Sequence, residues 1–93
     1  MSRLLREIRA AVRAERYLVS LHADERCEER GVVLWQLIEG VDDAVLVRET
    51  PNAKPHPRVR LRQMLADGSD VEVVWAWLSS SRRAKLVTVY FPE

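Results

Sequence analysis

The apolar positions of this 93-residue chain change their spacing about halfway along. Leu4, Leu5, Ile8, Ala11 and Val12 recur at the helical period and share one face. Arg3, Arg6, Arg9, Arg13 and Arg16 fall on the opposite side, and Ser2 stands where a cap belongs, so the pattern predicts a helix over 3–16. Residues 17–21 are a short run of strand formers. From His22 to Arg30 the pattern is helical again, with Gly31 at the position that favours a left-handed glycine. Leu34, Leu37 and Ile38 mark a third helix over 34–39 that Gly40 stops.

Beyond Gly40 the period shortens to two. Residues 44–49 predict a strand, and Pro51, Pro55 and Pro57 make the next segment an exposed loop. Residues 58–62 alternate strictly, with Arg58, Arg60 and Arg62 on one face. Asp67-Gly68 is a turn signal. In 71–78, Val71, Val73, Trp75 and Trp77 point one way and Val74, Ala76 and Leu78 the other, the pattern of a central strand covered on both faces. A polar turn at 79–83 leads to a last strand over 85–91, in which Leu86, Thr88 and Tyr90 share a face. The order α-β-α-α-β-β-β-β predicts an α+β fold: N-terminal helices packed on a four- to five-stranded antiparallel sheet, one domain over 1–93. The short link at Asp67-Gly68 permits only an antiparallel pairing of 59–65 with 71–78.

Charge adds to this picture more than composition does. Fifteen basic and fourteen acidic residues give a net charge of +1, but five arginines crowd the first sixteen positions. A nearly neutral protein can therefore carry a basic face. One cysteine and two histidines cannot make an internal disulfide or a four-ligand zinc site. A lone thiol suits the reducing cytoplasm. The charged N-terminus lacks a signal-peptide core, and no apolar run approaches the roughly 20 residues of a membrane helix. There is no Gly-rich phosphate loop, no Ser/His/Asp order and no metal-ligand spacing, so neither cofactor nor metal is expected. A core this small is compatible with a homo-oligomer or a tight partner.

His22, Arg26 and Arg30 follow at i, i+4 and i+8 and form one helical stripe beside Ala23 and Cys27. An imidazole and two guanidiniums in line suit phosphate chemistry. Spacing alone favours the plainer alternative, arginines paired with Glu25, Glu28 and Glu29 on a solvated face. The first helix, the 58–62 strip and the turn of Arg82, Arg83 and Lys85 supply three basic segments. Together they favour an anionic partner. No cluster of exposed aromatics accompanies them. Trp35, Trp75 and Trp77 read as core, Cys27 as a buried apolar residue, and His56 as a solvated loop residue. Thr88 and Tyr90 are, by themselves, good strand formers.

The run Leu21-His22-Ala23-Asp24-Glu25-Arg26-Cys27-Glu28-Glu29-Arg30-Gly31-Val32 resembles a signature, His-Ala-x-x-Arg-x-x-Glu-Arg-Gly-Ile. That signature opens a widespread bacterial family known as a domain of unknown function. Val87-Thr88-Val89-Tyr90 resembles the family's closing motif. The resemblance covers residues 17–91; Cys27 and Val32 stand where the family often has methionine and isoleucine. The family in turn resembles type II toxins of the RelE and MqsR kind. This implies a RelE/barnase-like toxin fold and a metal-independent endoribonuclease that cuts RNA by 2′-OH attack on phosphate. It also implies an antitoxin partner, often a zinc-finger protein. On this reading His22 is general acid or base, Arg26 and Arg30 stabilise the phosphate, and Thr88 and Tyr90 position it. Arg6, Arg9, Arg13, Arg58, Arg60 and Arg62 then hold the RNA backbone. The alternative is a non-catalytic protein- or RNA-binding module. Catalysis requires His22 in an open concave site, whereas a structural network would bury it.

Overall fold

Ser2 accepts a hydrogen bond from the Leu5 N–H at 3.0 Å and starts α1, Arg3–Arg13, in a computed structural model that describes residues 2–92. The helix stops short of its predicted end at residue 16. Glu15 takes a left-handed backbone (φ 61), and the N–H groups of Glu15 and Arg16 turn back to the carbonyls of Val12 and Ala11. That pair of bonds closes the last turn and satisfies two orphan carbonyls.

A three-residue strand follows, β1, Tyr17–Val19. Ser20 ends it and starts the next helix. Its N–H donates to Leu86 O at 2.9 Å and its hydroxyl donates to Val87 O at 2.6 Å. The same hydroxyl oxygen accepts from the Ala23 N–H at 3.0 Å, capping α2, Leu21–Arg30. Gly31 (φ 67) closes α2 as its position predicts, with the Val32 N–H donating to Cys27 O. α3, Leu34–Glu39, runs into a single 3₁₀ turn at Gly40–Asp42.

Four further strands complete the sheet: β2, Val45–Thr50; β3, Arg58–Met64; β4, Asp70–Leu78; and β5, Arg83–Tyr90. Their spatial order is β1-β5-β4-β3-β2, with β4 in the centre. β2 to β5 pair antiparallel in sequence, and 59–64 meets 70–75 as the short turn requires. β1 differs from the expected all-antiparallel sheet: it pairs parallel with β5, so the sheet is mixed. The long connection from β1 to β5 is what allows a parallel neighbour.

The helices cover one face. α1 buries Leu5, Ile8, Ala11 and Val12, and α2 adds Ala23 and Cys27, against Val59 and Leu61 of β3, Val71, Val73, Trp75 and Trp77 of β4, and Ala84, Leu86 and Val89 of β5. Trp75 is fully enclosed. Trp35 departs from the expectation of a core residue; it is 54% exposed on the outer side of α3, whose inward positions are Leu37 and Ile38. Among the described residues no helix is long and apolar enough to cross a membrane.

Candidate functional site

The face of the sheet turned away from the helices is built by strand alternation. β3 sends Val59, Leu61 and Gln63 into the core and Arg58, Arg60 and Arg62 outward. Register then sets their neighbours. Arg60 lies between Arg48 of β2 and Val74 of β4, and Arg58 lies between Thr50 and Ala76. Val74 and Ala76 are buried although no helix lies over them. In register, Arg60 and Thr88 flank Val74, and Arg58 and Lys85 flank Ala76; long side chains of this kind cover apolar neighbours with their aliphatic stems.

A bulge supplies the opposite wall. The β4–β5 register shifts so that Thr88 pairs with Val74 but Leu86 pairs with Trp75, leaving Val87 as the extra residue. Leu86 therefore turns into the core, while Thr88 and Tyr90 turn to the open face. The expected common face of Leu86, Thr88 and Tyr90 is corrected by this one inserted residue.

The result is a cleft of about 420 Å³ between Arg48, Thr50, Arg58 and Arg60 on one side and Val87, Thr88 and Tyr90 on the other, floored by Val74. Arg60 lies over the Tyr90 ring, 4.4 Å from its centroid, and its Nε donates to Glu72. Arg62 reaches the same carboxylate at 3.7 Å. Among the described residues neither Arg48 nor Arg58 has an acidic partner. No carboxylate lines this cleft, so its field is positive and its hydroxyls belong to Thr50, Thr88 and Tyr90. A second cleft of about 270 Å³ adjoins it and shares Arg60 and Tyr90.

The candidate residues from the sequence divide into three groups. Thr88, Tyr90, Arg58 and Arg60 meet in the first cleft, and Arg62 lines the second. His22 is exposed on the first turn of α2 and lines neither cleft. Arg26 and Arg30 lie over the Phe91 ring, 5.6 and 5.2 Å from its centroid, and Phe91 lines the second cleft. The α1 arginines lie on the helical side. Arg9 donates to Val41 O at 3.0 Å and to Ala44 O at 2.8 Å, Arg13 pairs with Asp42 at 3.2 Å, and Arg16 donates to Arg82 O. Arg6 is exposed.

Arg48 and Thr50 were not anticipated. Their signal is parity: they share a face of β2, and hairpin register with Arg58 and Arg60 makes that face continuous. Elsewhere, burial pushes the Cys27 thiol above its usual range, with Asp24 adding to the effect. Hydrogen bonds from Ser69 hold the Asp67 carboxyl below its usual value in the β3–β4 turn. Among the described residues no group of three or more His, Cys, Asp or Glu side chains could hold a metal ion.

Comparison with curated proteins and with solved structures gives no match. A family model described as "Domain of unknown function (DUF4258)" matches residues 19–91, from the end of β1 through Phe91, which includes α2 and every residue of both clefts except Pro92. The chain belongs to the DUF4258 family.

Proposed function

We propose that this domain binds RNA on its open sheet face and cuts it there as a metal-independent endoribonuclease, the activity of a toxin in a type II toxin–antitoxin pair. The observation that carries the reading is the first cleft, where Arg48, Arg58 and Arg60 face Thr88 and Tyr90 across an apolar floor. Guanidiniums grip phosphate oxygens by charge-assisted bonds and stabilise charge that grows on phosphorus. In the reaction the 2′-oxygen forms a bond to phosphorus and the bond to the 5′-oxygen breaks. The 2′-OH proton passes to water, which reaches the open cleft. Tyr90 gives its proton to the departing 5′-oxygen and recovers one from solvent. Thr88 orients the phosphate. The products are a 2′,3′-cyclic phosphate end and a 5′-OH end.

This assignment moves proton transfer from His22 to Tyr90, because a general acid must lie within hydrogen-bond reach of the reacting atom. Incubating purified protein with a labelled single-stranded RNA tests it. Wild type should cut in the presence of a chelator, and Tyr90→Phe should slow cutting by about 10²–10⁴-fold. RNA with 2′-deoxyribose throughout should stay intact. If Tyr90→Phe cuts as fast as wild type while His22→Ala does not cut, the assignment of the proton donor is wrong.

The cleft holds no histidine, and that one observation favours a second reading, an RNA-binding module without chemistry. It is distinguished by salt-sensitive RNA binding with no product under any condition. On the toxin reading, induced expression arrests bacterial growth and an antitoxin partner relieves the arrest. The exposed Val45, Leu46 and Val47 on the open edge of β2 offer such a protein a strand to pair with.

A further inference from the structure

The two clefts share Arg60 and Tyr90 but differ in chemistry. The first is lined by guanidiniums and hydroxyls. The second carries two carboxylates, Asp70 and Glu72, beside Arg62 and Phe91. Carboxylates repel a phosphate and accept hydrogen bonds from the N–H groups of a nucleobase. Tyr90, 46% exposed, carries the guanidinium of Arg60 over its ring, 4.4 Å from the centroid, at the boundary of the clefts. Unstacked bases settle on such aromatic and guanidinium planes.

We infer that the second cleft is a base-recognition subsite for guanine in single-stranded RNA, next to the phosphate held in the first cleft. This rests on the RNA-binding reading of that first cleft. Glu72 is already engaged by Arg60 and Arg62, whereas Asp70 has no ion-pair partner among the described residues. Asp70 is therefore the carboxylate left to read a base. Guanine places N1–H and N2–H side by side, two donors that match the two oxygens of one carboxylate. Adenine and cytosine offer a single amino group there, and uracil one imino N–H. Guanine also offers O6 and N7, the pair of acceptors that an arginine fork such as Arg62 fits. A base inside a duplex hides these donors, so the subsite requires an unpaired strand.

The test is binding of four fluorescein-labelled pentaribonucleotides, UUUUU, UUGUU, UUAUU and UUCUU, by anisotropy at low salt. All riboses are 2′-O-methylated, so no strand can be cut and binding is read apart from chemistry. Wild type should bind UUGUU about five- to tenfold more tightly than the other three, the discrimination of one bidentate contact. In Asp70→Asn, and in Asp70→Ser as a second variant, the affinity ratio of UUGUU to UUUUU should fall to about one, with circular dichroism confirming the fold. Equal affinities in the wild type, or a guanine preference that survives both substitutions, overturns the subsite and leaves the phosphate cleft standing. Failure to bind any of the four overturns the subsite and the RNA-binding reading together.

Discussion

Replacing Arg48 and Arg58 together by glutamine should remove most of the salt dependence of RNA binding. These two guanidiniums line the first cleft without an acidic partner among the described residues, while Arg60 is bound to Glu72 and stacked on Tyr90. For a single strand, log K falls with log salt by about 0.7 per neutralised phosphate. Three arginines each meeting one phosphate give a slope of about −2, so raising salt from 50 to 200 mM weakens wild-type binding about sixteenfold. With Arg60 alone left the slope drops to about −0.7 and the same change weakens binding less than about threefold. The assay is fluorescence anisotropy of an uncuttable oligouridine across a salt series. Arg6→Gln/Arg13→Gln on α1 is the control, since it removes the same charge from the helical side. A slope that falls in the α1 variant and holds in the cleft variant would refute this placement of the RNA.

Other predictions concern the scaffold. Arg9→Met should destabilise the fold by about 2 kcal/mol, because two carbonyls lose a charged donor, and lower Tm by about 10 °C without changing the salt slope. An unchanged melting curve would show that Arg9 holds nothing. Gly40→Ala drives a Cβ into the Gln63 amide nitrogen, in a side chain 4% exposed, and should cost about 1–3 kcal/mol in a urea titration. Gly40→Ala/Gln63→Ser should recover part of that loss; no recovery would place the clash elsewhere. Cys27 has a raised folded-state pKa, so its contribution to stability is full below the ordinary thiol value and is lost as pH rises through the raised one. Wild type should therefore lose more stability than Cys27→Ala between pH 8 and 10.5, and identical pH profiles would contradict the burial argument.

Elements whose signal is local were legible in the sequence. The α1 stripe, the Gly31 cap, the Asp67-Gly68 turn and the two-faced β4 pattern each depend on residues within a few positions of one another. The parallel β1–β5 pair was not, because nothing in Tyr17–Val19 specifies a partner more than sixty residues away. The β3 wall of the candidate site was legible for the same reason. Alternation alone shows that Arg58, Arg60 and Arg62 share a face. It misplaces Leu86 with Thr88, because a bulge at Val87 leaves no trace in the sequence pattern. The α1 arginines show the converse error. Their helical face is real, yet Arg9 and Arg13 answer needs created by the 3₁₀ turn and the residues after it, which approach α1 only in the folded chain.

The bulge joins the fold to the function. Without the extra residue, Thr88 and Tyr90 would keep the parity of Leu86 and point into the helical core, and the open face would lose two hydroxyls and its exposed ring. The register at the bulge is held from the edge by Ser20, whose hydroxyl donates to Val87 O and whose N–H donates to Leu86 O. Ser20 also caps α2, so one hydroxyl touches both the start of the helix and the extra residue of the bulge. Ser20→Ala removes the two hydroxyl bonds, to Val87 O and from the Ala23 N–H, and keeps the backbone bond to Leu86 O; a lost N-cap typically costs about 1 kcal/mol. The informative outcome is the division between stability and activity. If the side chain only caps α2, Tm falls and RNA binding at a temperature well below Tm does not change. If it also holds the bulge, a folded Ser20→Ala protein binds oligouridine more weakly, and the amide resonances of residues 86–90 shift more than those of α2. Wild-type affinity with shifts confined to α2 would show that the bulge stands without Ser20.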